Sequence, residues 1–271
     1  MNQLINYTLH LADNSLILGQ RNAEWTGHGP ILEQDIAISN IALDLIGQAR
    51  NFYQYAAQLI NESNAQTQLV KSSFSSPVEG GRVEAVTEDT LAYFRDANDF
   101  KNCLLVELEK SDWAVTTLRQ FFFSTYQFYF YQQLQNSKDT TLAAIAEKSL
   151  KEVTYHLRWS AEWVIRLGDG TEESNQRMNK ALSDLWPYTA ELMMNADYET
   201  ALLKDGIAVD LNALKDVWAA KIKEVFAIAT LQLPEKSIVL AGGKQGKHTE
   251  HLNVLLKEMQ ILQRTYPGAE W

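Results

Sequence analysis

The chain has 271 residues, 46% of them hydrophobic, with a formal net charge of −10 and a single cysteine. An acidic balance of that size argues against a nucleic-acid binder, which needs a basic face to neutralise phosphates, and Cys103 alone cannot form an internal disulfide. The opening MNQLINYTLHLADNS lacks the basic start and unbroken apolar run of a signal peptide, and no stretch approaches the roughly 18 apolar residues of a membrane span, so the expectation is a cytoplasmic protein away from the membrane.

Apolar residues recur at three-and-four spacing along most of the chain, and strand signals are scarce, which predicts an all-α fold. After a first helix at about 2–20, Ile38, Ile41, Leu45, Ala49, Phe52, Ala56 and Leu59 mark one face of a long helix between Pro30 and Ile60. Ile31, Leu43, Ile46 and Tyr53 widen that stripe, as in a helix lying inside a bundle. The stretch 62–86, rich in Ser, Asn, Gln and Gly, has no stripe and reads as a long surface loop. Helices follow at about 90–109 and 112–136. The second carries Phe121, Phe122, Phe123, Tyr126, Phe128, Tyr129, Phe130 and Tyr131 around so much of its circumference that half are expected in the bundle and half against another chain, with burial under later helices as the alternative. A second long pattern, with Leu142, Ile145, Ser149, Val153, His156, Trp163 and Leu167 on one face, runs from Asp139 to a stop at Gly168-Asp169-Gly170. Helices at about 172–195, 210–231 and 248–265 complete a bundle with additional C-terminal helices. With no repeat and no separable linker, residues 1–271 are read as one domain.

Long antiparallel helices raise the possibility of a carboxylate-bridged di-iron centre, which takes one Glu from each of two helices and Glu-x-x-His from each of the other two. At that spacing the first long helix offers Leu45 and Gln48, and the second offers Val153 and His156. Asp44 and Glu152 sit one residue away, about 100° around the helix. The stretch 113–137 contains no Asp or Glu at all. Iron in a buried site needs several anionic ligands, so these positions read as a site whose ligands are lost, with His156 a core histidine bonded to a polar neighbour.

Other motifs are weaker. AGGKQGKHTEH at 241–251 places glycines and lysines before a helix, yet it misses the P-loop spacing and has His248 where Ser or Thr should follow the lysine. It reads instead as a basic loop with a helix start, packing against a partner. His248, Glu250 and His251 lack a third clear ligand in zinc-site order. Cys103 lies in an ordinary helical context, and no strand-turn-helix elbow presents a nucleophilic serine.

Five segments, EWTGHGPILEQDIAISNIALDLIGQARNF (24–52), YFRDANDFKNCLLVE (93–107), KEVTYHLRWS (151–160), DGIAVD (205–210) and the C-terminal stretch 242–271, resemble the C-subunit family of bacterial phenylacetyl-CoA 1,2-epoxidases, over nearly the whole chain. That resemblance implies a ferritin-like bundle acting as a non-catalytic, structural subunit in aerobic phenylacetate degradation. It further implies pairing with a catalytic A-subunit that carries the di-iron centre, an association with a small B-subunit, and no cofactor held by this chain. The related catalytic protein is similar to Asp-Glu-x-Gly-His where this chain reads Asp44-Leu45-Ile46-Gly47-Gln48. Carried over by position, the acyl-CoA contacts fall on Asp99, Phe100, Lys101 and Asn102, and on Thr200, Ala201 and Leu202. Of these, Asp99, Lys101 and Thr200 depart from the family pattern. The competing expectation is a self-sufficient di-iron oxidase with atypical ligands.

Overall fold

The computed structural model describes residues 2–63, 85–234 and 238–269, and every regular element among them is helical. Four long helices form the bundle: α1 (Asn2–Ala23), α2 (Leu32–Glu62), α5 (Trp113–Leu134) and α6 (Thr140–Gly168). Short α3 (Glu88–Tyr93) and α4 (Leu104–Glu107) lie between the halves; α7 (Glu172–Thr189), α8 (Asp197–Lys204), α9 (Leu211–Ile228) and α10 (Glu250–Thr265) follow. Helix starts are written locally. Asp112 and Asp139 accept hydrogen bonds from first-turn amides of α5 and α6, and Thr171 does the same for α7.

Side-chain pairs fix the arrangement around the bundle axis. Tyr53 reaches back to Asp13 between α1 and α2, Asn22 to Gln120 between α1 and α5, and Asp44 and Gln48 to His156 and Glu152 between α2 and α6. In the α2–α6 pairs one number rises as the other falls, so those two helices are antiparallel. The core between them is continuous with α7 and α9, which cover α5 and α6, while α8 lies on α1 and α10 on α3 and α4.

The long helices stand where their spacing put them, and Ile38, Ile41, Leu45, Ala49 and Phe52 are buried, whereas Ile31 and Leu43, expected to widen that stripe, are exposed. Three further expectations change. The helix expected at 90–109 is broken: a 3-10 turn spans Ala97–Asp99, and Phe100 to Cys103 are extended before α4. Side chains of α1 take the backbone groups that a helix would have used. Lys101 N–H donates to Asp13 Oδ2 (2.8 Å) and Cys103 N–H to Asn14 Oδ1 (2.8 Å). The helix expected at 172–195 ends at Thr189, continues as a 3-10 turn, and is followed by α8, which the spacing did not reveal.

The aromatic face of α5 is mostly internal. Phe121, Phe122, Phe123, Tyr126, Phe130 and Tyr131 are buried, and Phe122 packs on Trp186, Trp218 and Phe226 of α7 and α9, so burial under later helices replaces the expected half-exposed face. Of the loop expected at 62–86, residues 64–84 lie outside the described residues. Its two ends are joined: the Asn61 side chain donates to Val86 O (2.9 Å) and accepts from Val86 N–H (3.0 Å). Among the described residues no helix is long and apolar enough to cross a membrane.

Candidate functional site

The centre of the bundle is where a di-iron site of this architecture would be built. α2 directs Leu45 and Gln48 inward and α6 directs Val153 and His156, all at most 1% exposed. α5 faces them with Gln120, Ser124, Gln127 and Tyr131, at helical spacing and all buried, and α1 contributes Ser15 and Asn22. The donors that meet there are amides, hydroxyls and one imidazole.

The carboxylates of Asp13, Asp44 and Glu152 are each taken up by hydrogen bonds within the chain. Asp13, the sole acid of α1, is fully buried but turned away from the axis, where it pairs with Arg95 and accepts from Tyr53 OH and Lys101 N–H. Asp44 and Glu152 lie on the outer seam between α2 and α6 and reach back to the two polar residues in ligand positions. His156 Nε2 meets Asp44 Oδ2 at 2.9 Å, and Gln48 Nε2 donates to Glu152 Oε2 at 2.9 Å. Tyr131 OH donates to Gln48 Oε1 (3.3 Å) and accepts from Gln127 Nε2 (3.3 Å), so a chain of hydrogen bonds crosses from α5 through α2 to α6. Two alkyl side chains, a neutral amide already bonded at both ends and one imidazole do not fit two iron ions, which need anionic oxygen ligands to offset their charge. Among the described residues no three His, Cys, Asp or Glu side chains gather in a metal-binding group.

A second polar cluster lies outside the bundle, on the far side of α1. Segment 99–102 and α8 are brought together there by His10. Its Nδ1 meets Lys101 O at 2.7 Å, its Nε2 lies 3.9 Å from Glu199 Oε1, and its ring packs at 6.0 Å from Tyr198. Burial, then the positive charge of Lys244, lowers the His10 pKa to about 4, so its ring is neutral at pH 7.

The residues carried over as acyl-CoA contacts divide by exposure. Phe100, Asn102 and Leu202 are buried: Phe100 lies under the Arg95 guanidinium at 4.1 Å, and Asn102 donates to Glu107 Oε2 at 2.8 Å. Asp99, Lys101 and Ala201 are half-buried and Thr200 is exposed, so these four keep part of their surface open to solvent. Partial burial lowers the Lys101 pKa.

The glycine-rich stretch at 241–251 closes this cluster from above and binds its own chain. Gly243 and Gly246 pass so close to the backbone of 98–102 that a Cβ would lie 2.2 Å from Asn102 O and 2.3 Å from Asn98 O. That close approach, together with φ of +77° at Gly246, requires glycine there. The groups that suggested an anion site are filled by internal carboxylates. Gly242 N–H donates to Glu191 Oε1 (2.8 Å), Lys244 Nζ to Glu199 Oε2 (3.0 Å), and Thr249 N–H, at the start of α10, to Glu107 Oε1 (2.6 Å).

His248 spends both ring nitrogens here, on Glu107 Oε2 (2.6 Å) and Phe100 O (2.9 Å). Burial opposes its protonation, but the hydrogen bond and charge of Glu107, aided by Phe100 O, outweigh it and raise the pKa. The basic loop therefore packs against this chain, where the sequence suggested a partner. Cys103 is buried beneath it, its thiol pKa pushed up by desolvation, which makes it a poor nucleophile. Sequence spacing missed Asp13, Arg95, Glu107, Glu191 and Glu199. The available signal was polar residues inside apolar helical runs, as in HLADNS of α1.

A family model described as phenylacetic acid catabolic protein matches residues 1–271. The chain is 45% identical over 271 residues, the full length of both proteins, to the C-subunit of 1,2-phenylacetyl-CoA epoxidase from Escherichia coli (strain K12). On this end-to-end match the chain belongs to the phenylacetic acid catabolic protein family.

Proposed function

We propose that this chain is the structural, non-catalytic subunit of a phenylacetyl-CoA 1,2-epoxidase complex. In that role it pairs with the di-iron catalytic A-subunit, in a complex that also includes a small B-subunit, and keeps its catalytic partner folded and correctly placed. Oxygen activation and ring epoxidation belong to the partner. The observation that carries this reading is the donor set at the bundle centre: Leu45, Val153, Gln48 and His156 stand in ligand positions, Asp13 is paired with Arg95, and Asp44 and Glu152 are taken up by hydrogen bonds to His156 and Gln48. We further propose that Asp99, Lys101, Thr200 and Ala201 form part of the acyl-CoA environment, with Lys101 as a point charge toward a phosphate. Phe100, Asn102 and Leu202 then support that surface from beneath.

The test is co-expression. With this chain present, the catalytic partner is expected to be soluble and active on phenylacetyl-CoA; without it, solubility or activity falls steeply. Full activity of the catalytic partner by itself would overturn the structural role, and stoichiometric iron with oxygen-dependent turnover in this chain alone would favour a self-sufficient oxidase.

A further inference from the structure

The outward face of α2 carries a line of exposed apolar side chains, Leu32 (71% exposed), Ile36 (52%) and Leu43 (65%), with Ile31 (53%) at its head. The spacings of four and seven place the three on one side of the helix. Gly47, one turn on, continues that line. A Cβ there would meet nothing within 4 Å, unlike Gly19 of α1, where a Cβ would lie 3.1 Å from Ile46 Cγ1. Glycine weakens a helix interior, and no contact among the described residues requires it at position 47. The space it leaves faces outward. Beside it run Asp44 and Glu152, about one turn apart along the α2–α6 seam, each bonded inward to His156 or Gln48 and neither in an ion pair with Lys or Arg among the described residues. The nearby Arg158 guanidinium lies over the Tyr155 ring, at 5.7 Å.

We infer that this seam docks a second helical bundle, the catalytic member of the complex, whose helix crosses α2 at Gly47 and sets a Lys or Arg against Asp44 and Glu152. The inference rests on the functional reading above. Size and charge select this occupant. The four side chains offer on the order of 500 Å² of apolar surface, at the upper end for a monomer's largest patch. A stable interface takes about 800 Å² from each partner, so the patch is the core of a contact with a folded protein and not with a short peptide. A second copy of this chain docked over Gly47 on a two-fold axis would bring Asp44 and Glu152 against their own counterparts, between molecules that each carry −10. A partner with a cation opposite the two carboxylates removes that repulsion.

The test uses the full chain and its catalytic partner, with affinity measured by titration calorimetry and the state of this chain alone by sedimentation. Gly47→Leu is expected to leave the isolated chain as stable as before or more so, because leucine favours helix and has room, while weakening the complex at least 100-fold. Leu43→Asp is expected to weaken it at least 10-fold. Glu152→Gln, which keeps an acceptor for Gln48, should cost several-fold and reduce the salt dependence of binding. Val254→Asp, on the exposed face of α10, should change nothing. If the native chains pair and Gly47→Leu pairs equally well, the docking face is wrong while the functional reading stands. If the native chains do not pair, the functional reading itself fails. A native homodimer broken by Gly47→Leu would assign the face to a second copy and overturn the choice of occupant.

Discussion

Gln48 bonds on both sides, to Glu152 and to Tyr131, so its loss reaches two helices. Gln48→Leu should destabilise the fold by about 1–3 kcal/mol, the usual cost of leaving buried polar partners unmade, and thermal unfolding would show it. Installing a Glu-x-x-His pair on α2 should fail. Leu45→Glu with Gln48→His is expected to bind no iron and to lower the melting temperature, because it buries a carboxylate while α5 still supplies no acid. Metal analysis of the purified double variant checks this, and stoichiometric iron would refute it. At this scale the departure from the Glu-x-x-His pattern was legible, since that rule is local and Leu45, Gln48, Val153 and His156 break it in the sequence itself. The return of Asp44 and Glu152 to those residues was not legible, because it depends on how two side chains bridge helices more than a hundred positions apart.

The long helices were legible at the scale of elements because α2 and α6 repeat their apolar spacing over 31 and 29 residues. Segment 94–103 was not: its helical-looking pattern is overridden by Asp13 and Asn14, which lie far away in sequence on α1. Arg95, the charge partner of Asp13, gives a direct test. Arg95→Met leaves Asp13 buried without its charge partner and should cost about 3–5 kcal/mol, whereas Arg95→Met with Asp13→Asn should recover part of it. Denaturant unfolding of the two variants separates a buried-charge penalty from simple loss of packing. Gly243→Ala should also destabilise, by roughly 1–3 kcal/mol, since the new methyl meets Asn102 O and the overlying loop must shift. Faster amide exchange in 98–104 would locate that shift. The glycines looked like a phosphate loop because their actual partners are carbonyls some 140 residues earlier.

Two histidines give the whole molecule opposite responses to pH. His10 is held neutral, with its pKa lowered from 6.5 to about 4, so its contribution is present above pH 6.5 and is lost as pH falls toward 4. By pH 4 the loss is on the order of 3 kcal/mol at about 1.4 kcal/mol per unit. His248 has a raised pKa, so its contribution is complete below about 6.5 and is lost as pH rises through the folded value. His10→Gln should flatten the acid limb of a stability-against-pH curve and His248→Gln the alkaline limb, measured by denaturant midpoints. An unchanged acid limb in His10→Gln would show that His10 does not set it.

The clasp of Asn61 on Val86 also gives protein engineering a practical opening. Because the Asn61 amide bonds both the N–H and the carbonyl of Val86, those two residues stay side by side, and a flexible insert placed between them adds closure entropy that grows only with the logarithm of its length, about 0.6 kcal/mol per doubling. A fluorescent domain or affinity tag spliced there would report on assembly while the helices on either side keep their register.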